Sequence, residues 1–253
     1  MRQLWAERIK QAVRPGLYRT IYPGREHFTC PICNYRGPFK DKIVSKSPAV
    51  TRVDSKCLGC SSVERHRMMH LVFDEVYGNW SADQKSILHI APEDCLKPQL
   101  QSFFGTYHTA DLLQTTVDFN EDVQDMSFPD GTYDSVLISR VLTIPPDLEA
   151  CIREIRRVLK PGGIAIIAEI YFHEESIEYG KFIGERSREI GVDLITMMER
   201  HFSRVEKYTS DRYEEEYQLI NRMVVDGEPH DDYPELVRVP GVGLMDLVAV
   251  CHV

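Results

Sequence analysis

The chain has 253 residues, of which 43% are hydrophobic and 27% charged, a composition typical of globular rather than disordered proteins. The formal net charge of −9 argues against a protein whose whole surface binds nucleic acid. The charge is uneven, since residues 1–70 contain 14 Lys and Arg against 5 Asp and Glu, whereas residues 71–253 contain 16 against 34. This asymmetry predicts two modules of opposite charge.

The first residues are charged at positions where a secretory signal peptide requires an apolar region: Arg2, Glu7, Arg8 and Lys10. No apolar stretch reaches the length that crosses a bilayer, so no membrane partner is expected. We therefore expect a cytoplasmic protein, whose thiols stay reduced. The 7 cysteines are then predicted to be metal ligands or core residues rather than disulfides.

The N-terminal quarter of the chain has little regular periodicity. Apolar side chains recur at helical spacing over residues 3–13, and Pro15-Gly16 ends this predicted helix. Residues 14–62 are rich in Gly, Pro, Cys and basic side chains. Ser62 is a candidate N-cap of a second helix. The apolar stripe of that helix comprises Met69, Val72, Phe73 and Val76.

Short apolar strands then alternate with helical patterns. The predicted strands are Ser86–Ile90, Tyr107–Leu112, Val117–Asp122, Ser135–Ser139 and Ile164–Tyr171, followed later by Val205–Ser210 and Leu244–His252. The predicted helices are Pro98–Phe104, Leu148–Leu159 and Ile190–Phe202. Strands that alternate with helices predict an α/β fold with a doubly wound, mostly parallel sheet.

Two domains are predicted from this pattern and from the charge asymmetry. Residues 1–62 would form the N-terminal helix and a small zinc-ribbon-like module, and residues 63–253 would form the α/β domain. Residues 211–242 are mixed in pattern and rich in Asp and Glu. This composition predicts an insertion or a lid within the second domain.

Four of the cysteines form two pairs with the same internal spacing, Cys30 with Cys33 and Cys57 with Cys60. Two residues between thiolates allow one tight turn to aim both sulfurs at one ion, and two such turns complete a tetrahedral zinc site. The cysteines could instead be unrelated to one another or form a redox pair. Because a four-thiolate site leaves no open coordination position, the predicted Zn²⁺ is structural.

Three segments between residues 122 and 163 form a series. Residues 122–134 follow the pattern D-x-x-x-L-P-F-x-D-x-x-F-D closely, an apolar strand at Ser135–Ser139 comes next, and residues 157–163 read Arg-Val-Leu-Lys-Pro-Gly-Gly. This series resembles class I S-adenosylmethionine-dependent methyltransferases, in which the last segment joins a helix to the fifth strand. The resemblance covers roughly residues 63–210 and implies a Rossmann-like fold that binds S-adenosylmethionine.

The loop after the first predicted strand departs from that family, which has an acidic residue and G-x-G-x-G there. This chain instead has Leu-His-x-Ala-Pro-Glu at 88–93, preceded by Glu-Arg-His-Arg at 64–67 and by the cysteine pairs. That combination is similar to a bacterial subgroup of these enzymes. The loop is predicted to join a strand to a helix N-terminus, where free N–H groups attract an anion such as the cofactor's carboxylate.

The resemblance and the loop position together imply cofactor contacts near the first strand. Ala91, Pro92 and Glu93 would line the cofactor, with Glu93 accepting a hydrogen bond from its ammonium group. Alternatively, Glu93 only favours the predicted helix N-terminus. Arg67, on the preceding helix, is predicted to pair with a carboxylate of cofactor or substrate, or else to lie on a solvated helix face.

Further contacts are predicted after the second and third strands. Asp111 and Leu112 lie at a strand end, where a carboxylate accepts hydrogen bonds from ribose hydroxyls in related folds. Asp111 could instead be a solvated turn residue. Asp122 corresponds to the family's acceptor for the adenine amino group, with the Val123 backbone beside it, and Asp125 is the near competitor.

The reacting side of the site is predicted at the ends of the fourth and fifth strands. The subgroup usually has N-H-V-L-E-H after the fourth strand, whereas residues 139–144 read Ser-Arg-Val-Leu-Thr-Ile. Ser139 is predicted to contact the cofactor, and Arg140 to orient an anionic or carbonyl group of the substrate. His173 is predicted to accept the proton released by the nucleophile. Arg140 and His173 could instead be structural or solvent-facing.

These features predict methyl transfer to a small molecule of specialised metabolism. The acidic α/β domain and the departure at Arg140 favour this interpretation. An RNA or protein methyltransferase that docks through the basic module is a rival hypothesis, with nucleic acid as a less favoured partner. A non-methylating enzyme that uses the same cofactor is compatible with the same residues, and so is a catalytically inactive binding module.

Overall fold

The computed structural model describes residues 16–18, 20–78, 80 and 84–253, so the helix predicted at residues 3–13 lies outside the described residues. The chain divides into two compact units. The N-terminal unit comprises residues up to Leu71 together with Ser210–Asp232 and Arg238–Asp246. The parallel-sheet unit comprises Val72–Thr209, Tyr233–Val237 and Leu247–Val253.

The elements are numbered in chain order. The strands are β1 (Phe28–Thr29), β2 (Arg36–Gly37), β3 (Lys40–Lys46), β4 (Ala49–Lys56), β5 (Ser86–Ile90), β6 (Thr106–Ala110), β7 (Tyr133–Ser139), β8 (Leu159–Glu169), β9 (Ile177–Ile183), β10 (Arg186–Glu189), β11 (Arg204–Thr209), β12 (Ile220–Val225), β13 (Glu228–Pro229), β14 (Arg238–Val239), β15 (Gly243–Met245) and β16 (Leu247–His252). The α-helices are α1 (Glu64–Tyr77), α2 (Lys97–Phe103), α3 (Leu148–Arg157) and α4 (Asp193–His201). Within the described ranges, no helix is long and apolar enough to cross a membrane.

The parallel-sheet unit contains a six-stranded sheet with the order β11-β16-β8-β7-β5-β6. The neighbours from β8 to β6 pair in parallel, and β16 runs antiparallel to both of its neighbours. Every residue of β7 and the last seven residues of β8 are buried, as expected for strands covered on both faces. The predicted α/β fold with a mostly parallel sheet is confirmed.

Helix α3 and strand β8 are joined differently from the prediction. The helix is N-capped by the Asp147 carboxylate, which accepts from the Ala150 N–H at 2.8 Å, and it ends at Arg157. Leu159 therefore belongs to β8 rather than to the helix. The pairing register of β7 with β8 shifts between Tyr133↔Leu159 and Ser135↔Ile164. The extra residues on β8 form a turn around Gly162, which has φ +75°.

The strand predicted at Val117–Asp122 is wrong. Residue Phe119 makes only a single bridge, to Ala110. The Asp118 carboxylate accepts from both the N–H and the hydroxyl of Thr109, at 2.8 Å each, and the Asp118 and Phe119 N–H groups donate to the Thr109 carbonyl. These local bonds fold the chain back onto the end of β6 instead of extending the sheet.

The N-terminal unit contains an antiparallel sheet with the order β14-β15-β12-β4-β3, and β13 also pairs with β12. Strand β12 pairs with β4 from Arg222↔Val53 to Val225↔Val50. Most of residues 211–242 therefore fold with the first 71 residues, and this unit extends beyond the predicted boundary at residue 62. The strand predicted at Leu244–His252 is divided at Asp246 between the two units.

Candidate cofactor site and cysteine cluster

The carboxyl ends of four neighbouring strands carry most of the predicted site residues. In sheet order, Asp111 follows β6, Ala91 follows β5, Arg140 follows β7, and Glu169 ends β8. The Ala91 N–H donates to the Ala110 carbonyl at 2.8 Å, and the Arg140 N–H donates to the Ala168 carbonyl at 3.0 Å. Because adjacent strands lie about 4.8 Å apart, these residues line one edge of the sheet.

The loop after β5 is held by its own side chains rather than by glycines. Ala91 adopts φ +49°, a left-handed conformation that usually requires glycine. The buried His89 ring contacts the Tyr107 hydroxyl through Nδ1 at 3.0 Å and the Glu93 carboxylate through Nε2 at 2.9 Å. His89 therefore fixes Glu93 beside the buried Pro92.

The loop leads into a helix, as predicted, through a short turn. Helix α2 begins at Lys97, four residues after Glu93, and is only seven residues long. Its N-cap, Leu96, provides no side-chain hydrogen bond. Turn residues occupy the stretch between Glu93 and Lys97, and the N–H groups of Leu96 and Lys97 donate to the Glu93 carbonyl at 3.1 and 3.3 Å. The anion site at this helix N-terminus stays a prediction.

Asp111 is ordered by the turn that follows β6. Its Oδ1 accepts from the N–H groups of Leu113 at 2.8 Å and Gln114 at 2.9 Å, and its Oδ2 accepts from Gln114 Nε2 at 3.0 Å. Each carboxylate oxygen has two lone pairs, so Oδ2 retains acceptor capacity. The neighbouring Leu112 side chain is 58% exposed, which leaves apolar surface beside this carboxylate.

Asp122 is ordered in a similar way by Gln124. Its Oδ1 accepts from the Gln124 N–H at 2.9 Å, and both oxygens lie within 3.1 Å of Gln124 Nε2. Val123 beside it is buried, whereas the competitor Asp125 is exposed. The half-buried Asp122 is thus fixed in orientation, and Asp125 is the more solvated of the two carboxylates.

Two buried hydroxyl groups occupy the ends of β7 and β8. Ser139 Oγ and the Tyr171 hydroxyl make no hydrogen bond to any residue that the structure describes. Burial raises the pKa of Tyr171 well above its ordinary value, and neighbouring Glu169 raises it further, while Arg140 acts in the opposite direction. A buried hydroxyl without a partner costs about 1–3 kcal/mol, so both groups are candidates for contact with a bound molecule.

The half-buried Arg140 adopts φ +59° directly after β7. Such a conformation is uncommon for a residue with a side chain, and it changes the direction of the backbone at the end of the strand. Glu169 supports the same turn, because its Oε1 accepts from the Leu142 N–H at 3.0 Å. The two charged residues therefore belong to one turn at the carboxyl edge.

His173 lies four residues beyond β8, where it forms a bridge with Gly191. Its Nε2 lies 2.6 Å from the Glu189 carboxylate. Burial alone would raise the pKa of Glu189, but hydrogen bonds from His173 and Tyr179 outweigh it and lower that pKa. The Glu189 carboxylate orients the imidazole through Nε2 and leaves Nδ1 on the opposite side of the ring.

Arg67 is not part of this edge. It lies in the N-terminal unit with its side chain fully buried. Its guanidinium stacks on Phe39, 4.5 Å from the ring centroid. It donates to four backbone carbonyls, those of Ser55, Ser62, Tyr217 and Gln218. The prediction that Arg67 binds a carboxylate of cofactor or substrate is therefore wrong, and so is the prediction that it lies on a solvated helix face.

The start of α1 is likewise internal to the N-terminal unit. Glu64 is fully buried and forms an ion pair with Arg52, and it also accepts from the Ser55 hydroxyl at 2.9 Å. The predicted N-cap, Ser62, instead places its hydroxyl 3.4 Å from Cys30 Sγ and 3.1 Å from Cys60 Sγ. The Glu-Arg-His-Arg segment thus stabilises this unit and supports the cysteines.

The two cysteine pairs come together as predicted. The sulfurs of Cys30, Cys33, Cys57 and Cys60 all lie within 4.8 Å of one another. The Cys30–Cys60 separation is 3.6 Å and the Cys33–Cys57 separation is 3.7 Å. Four thiolates at 2.3 Å from one Zn²⁺ would be about 3.8 Å apart, so the sulfur positions fit a tetrahedral ion.

When no ion is bound, the sulfurs of this cluster shift one another's pKa values in opposite directions. Hydrogen bonding from Cys33 lowers the pKa of Cys30 far below its ordinary range, whereas hydrogen bonding to Cys30 raises the pKa values of Cys33 and Cys57. A divalent cation removes this conflict because it binds every sulfur as a thiolate. The buried Phe28 and Phe39 pack against Cys30 and Cys57 and shield the cluster.

Four supporting residues were not singled out by the sequence: His89, Gln114, Gln124 and Glu189. Each orients a predicted site residue, namely Glu93, Asp111, Asp122 and His173. For Gln114 and Gln124 a signal was available, since they lie three and two residues after an aspartate, the spacing of an Asx turn. For Glu189, 16 residues from His173, the sequence carries no such signal.

Comparison with known proteins supports this fold assignment. Residues 99–167 match the methyltransferase domain family. The match covers α2 through most of β8, which includes Asp111, Asp122, Ser139 and Arg140. Together with the strand order, it indicates a Rossmann-like methyltransferase fold in the parallel-sheet unit, and the N-terminal unit contains the four-cysteine module.

Similar proteins match short parts of the chain. A hybrid polyketide–nonribosomal peptide synthetase from Macrophomina phaseolina is 43% identical over 58 residues, which are 23% of this chain and 1% of that protein. An arsenite methyltransferase from Aquipseudomonas alcaligenes is 28% identical over 72 residues, 25% of this chain and 21% of that protein. The chain thus spans a small fraction of these relatives.

Among solved structures, phosphoethanolamine N-methyltransferase 2 from Haemonchus contortus in complex with S-adenosyl-L-methionine is 16% identical, with a TM-score of 0.44. The similarity covers 56% of this chain and 38% of that one.

Proposed function

We propose that the protein is an S-adenosylmethionine-dependent methyltransferase that acts on a small molecule. The observation that carries the proposal is the row of Asp111, Ala91 and Arg140 along the carboxyl edge of the parallel sheet, within or beside the segment that matches the methyltransferase domain family. Ligands of open α/β sheets bind at this edge, where the loops that follow the strands converge.

The residues present at this edge fit the cofactor. Asp111 would accept from the ribose hydroxyls through its available lone pairs, and Asp122 with the Val123 backbone would bind the adenine. Glu93 would accept from the ammonium group, held in place by His89. The Ser139 hydroxyl, which has no partner among the described residues, is a further donor at the same edge. When bound, S-adenosylmethionine supplies a sulfonium methyl group to a nucleophile.

The chain's own contribution to the reaction is positioning and the handling of one proton. Arg140 would bind an anionic or carbonyl oxygen of the substrate and align its nucleophile, which alone accounts for a large part of the acceleration of a displacement reaction. His173 Nδ1 would accept the proton that the nucleophile releases, with Glu189 holding the ring and stabilising the imidazolium.

A small-molecule substrate is favoured by the relatives. Their names, a polyketide–nonribosomal peptide synthetase and an arsenite methyltransferase, refer to enzymes of small-molecule chemistry. The charge distribution agrees, because residues 71–253 carry 16 Lys and Arg against 34 Asp and Glu and would repel the phosphates of RNA. The four-cysteine cluster would hold one structural Zn²⁺ and would take no part in the chemistry.

The proposal is tested by methyl transfer from S-[methyl-³H]adenosylmethionine to a library of small acids, phenols and amines. Calorimetry on the same protein measures S-adenosylhomocysteine binding. We expect binding to weaken strongly in Asp122→Ala and to be unchanged in Asp125→Ala, the exposed neighbour. Full binding without transfer to any acceptor class would indicate the inactive module, and absence of binding would reject the proposal.

RNA methylation is the second candidate, favoured by one observation in the N-terminal unit. The exposed Lys40 and Lys56 are direct cross-strand partners, and both line a cavity of about 300 Å³ beside Cys57 and Ser61. Like charges in this arrangement are unfavourable unless an anion lies between them. RNA binding that falls steeply with salt and is weakened in Lys40→Gln, but not in Lys46→Gln, would favour this candidate.

A further inference from the structure

A cavity of about 790 Å³ lies within the N-terminal unit. Small-molecule sites have volumes of about 300–1,000 Å³, so the size suits a ligand of ordinary metabolite dimensions. Its walls come from three stretches of this unit, residues 26–28, 210–222 and 239–245. The described lining includes none of the residues assigned above to the cofactor or to catalysis.

The floor of the cavity is apolar. Its apolar side chains are Phe28, Leu219, Ile220, Val239, Val242 and Met245. The first two are buried, and the other four are only half-buried, so apolar surface remains in contact with solvent inside the cavity. Covering that surface with an apolar ligand is favourable, because it removes the surface from water.

The rim of the cavity is acidic. Its carboxylates are Glu26, Asp211, Glu214, Glu215 and Glu216. Among the described lining residues, Arg222 is the one Lys or Arg, and its guanidinium lies 2.8 Å from Glu26 and 3.4 Å from Asp54. That cation is already compensated, so the rim has an excess of negative charge although residues 1–70 carry 14 Lys and Arg against 5 Asp and Glu.

The buried Arg67 binds the backbone directly after the segment that carries four of the rim carboxylates, residues 211–216. Arg67 Nε donates to the Tyr217 carbonyl at 2.9 Å, and its Nη2 donates to the Gln218 carbonyl at 2.5 Å. The Thr29 hydroxyl donates to Glu216 at 2.9 Å. Thr29 directly precedes Cys30, so the cysteine cluster also supports this wall. A rim that is ordered before binding loses little entropy when a ligand arrives.

We propose that this cavity binds an organic cation with an apolar body, such as an arylalkylamine. The ammonium lies between the Glu214 and Glu215 carboxylates, and the aryl group lies on the floor formed by Val242 and Met245. Charge complementarity selects the cation over an anion of the same shape. The inference does not depend on the proposed methyl transfer, since all of its residues lie in the N-terminal unit.

The test uses three probes of the same shape and different charge: 4-phenylbutylamine, 4-phenylbutanol and 4-phenylbutyrate. Binding to the full chain is measured by calorimetry at pH 7 and low salt. We expect the amine to bind, the alcohol to bind at least about tenfold more weakly, and the acid not to bind. Equal affinity for the three probes, or no binding of the amine, would overturn the proposal.

Variants locate the binding. Glu214→Gln and Glu215→Gln should each weaken amine binding about threefold to tenfold and leave alcohol binding unchanged. Glu228→Gln is the matched control, because it removes the same charge from an exposed residue of β13, outside the described lining. Equal effects of the control and the rim variants would contradict the site. Binding of an oligolysine peptide without binding of the amine would indicate a protein partner and would overturn the small-molecule assignment.

Discussion

The two units of this protein stabilise their candidate sites by different means. In the parallel-sheet unit every residue of β7 is buried, and the site residues lie after the ends of β5 to β8. In the N-terminal unit β3 has no buried residue, and the buried side chains of β4 are Arg52, Asp54 and Ser55. Buried strands position the first site, whereas buried polar pairs and four cysteines organise the second unit.

This difference has consequences for how each unit responds to perturbation. A core of apolar strands loses stability gradually as side chains are truncated. A small unit that depends on a cluster of cysteines and buried charges loses its fold when one of these elements is removed, because the remaining polar groups are left without partners. The predictions below separate the two units on this basis.

The largest expected effect is metal removal. Metal analysis should give close to one Zn²⁺ per chain, and Cys57→Ser should lose it, because structural zinc contributes about 10–16 kcal/mol of apparent folding free energy. Hydrogen exchange should then show lost protection in β3, β4 and β12 and retained protection in β5, β7 and β8. Cys95→Ser, outside the cluster, is the control. A metal-free protein with a protected N-terminal unit would refute the zinc assignment.

The second effect concerns the buried Arg67. Arg67→Met leaves four carbonyls without their donor and should destabilise the N-terminal unit by about 3–5 kcal/mol. Arg36→Met, at an exposed arginine of β2, should change stability by less than about 0.5 kcal/mol. Denaturant unfolding measures both. If Arg67→Met leaves stability unchanged and weakens cofactor binding, Arg67 binds a carboxylate of the cofactor, as the sequence predicted.

The third effect tests Asp111 in the parallel-sheet unit. Asp111→Ala should weaken S-adenosylmethionine binding by about 2–3 kcal/mol, because a carboxylate that accepts from two hydroxyls is lost. Calorimetry measures the change, with the exposed Asp125→Ala as the control. If both variants bind with wild-type affinity, Asp111 does not belong to the site.

The fourth effect tests the reacting side. Arg140→Ala should impair turnover and leave cofactor affinity nearly intact, and His173→Ala should lower the rate about 10²-fold. His201→Ala is a matched control, since that histidine also pairs with a glutamate, at 3.1 Å from Glu149. Steady-state kinetics separate these outcomes. Full activity in both site variants would show that alignment of the substrate by other groups is sufficient.

The smallest effect depends on pH. Burial alone would raise the pKa of Asp134, but hydrogen bonds from Lys160 and Ser86 outweigh it and lower that pKa from 3.8 to about 2. A lowered pKa in the folded state stabilises the protein above about pH 4, and this contribution is lost as the pH falls towards 2. Asp134→Asn should cost about 2 kcal/mol at pH 7 in urea unfolding. A difference from wild type that does not shrink on acidification would contradict this account.

The sequence predicted the parallel-sheet unit better than the N-terminal unit, for a physical reason. Strand β7 has an apolar centre, Val136 to Ile138, so its burial and its position in a parallel sheet are indicated by the chain itself. The pairing of β12 with β4 joins residues about 170 apart, such as Val224 and Thr51, and no local pattern encodes it. Most of residues 211–242 therefore lie in the N-terminal unit, a placement that no local pattern indicates.

Individual site residues differ in the same way: local sequence indicates the positions of some, and only the fold shows the surroundings of others. Asp111 and Arg140 could be positioned in the chain because each lies at the end of a predicted strand. Arg67 could not, because a charged residue on an amphipathic helix is usually solvated, and only the fold reveals the four carbonyls around it. The strand predicted at Val117–Asp122 does not form because Asp118 accepts hydrogen bonds from Thr109 that compete with sheet pairing.

The most direct test of the central claim is a crystal structure of the full chain with S-adenosylhomocysteine. The account predicts ribose on Asp111, adenine beside Asp122 and Val123, and a sulfur that faces the side chains of Arg140 and His173. A sulfur farther than about 10 Å from both of these side chains, or a ligand bound away from the carboxyl edge of the parallel sheet, would contradict it.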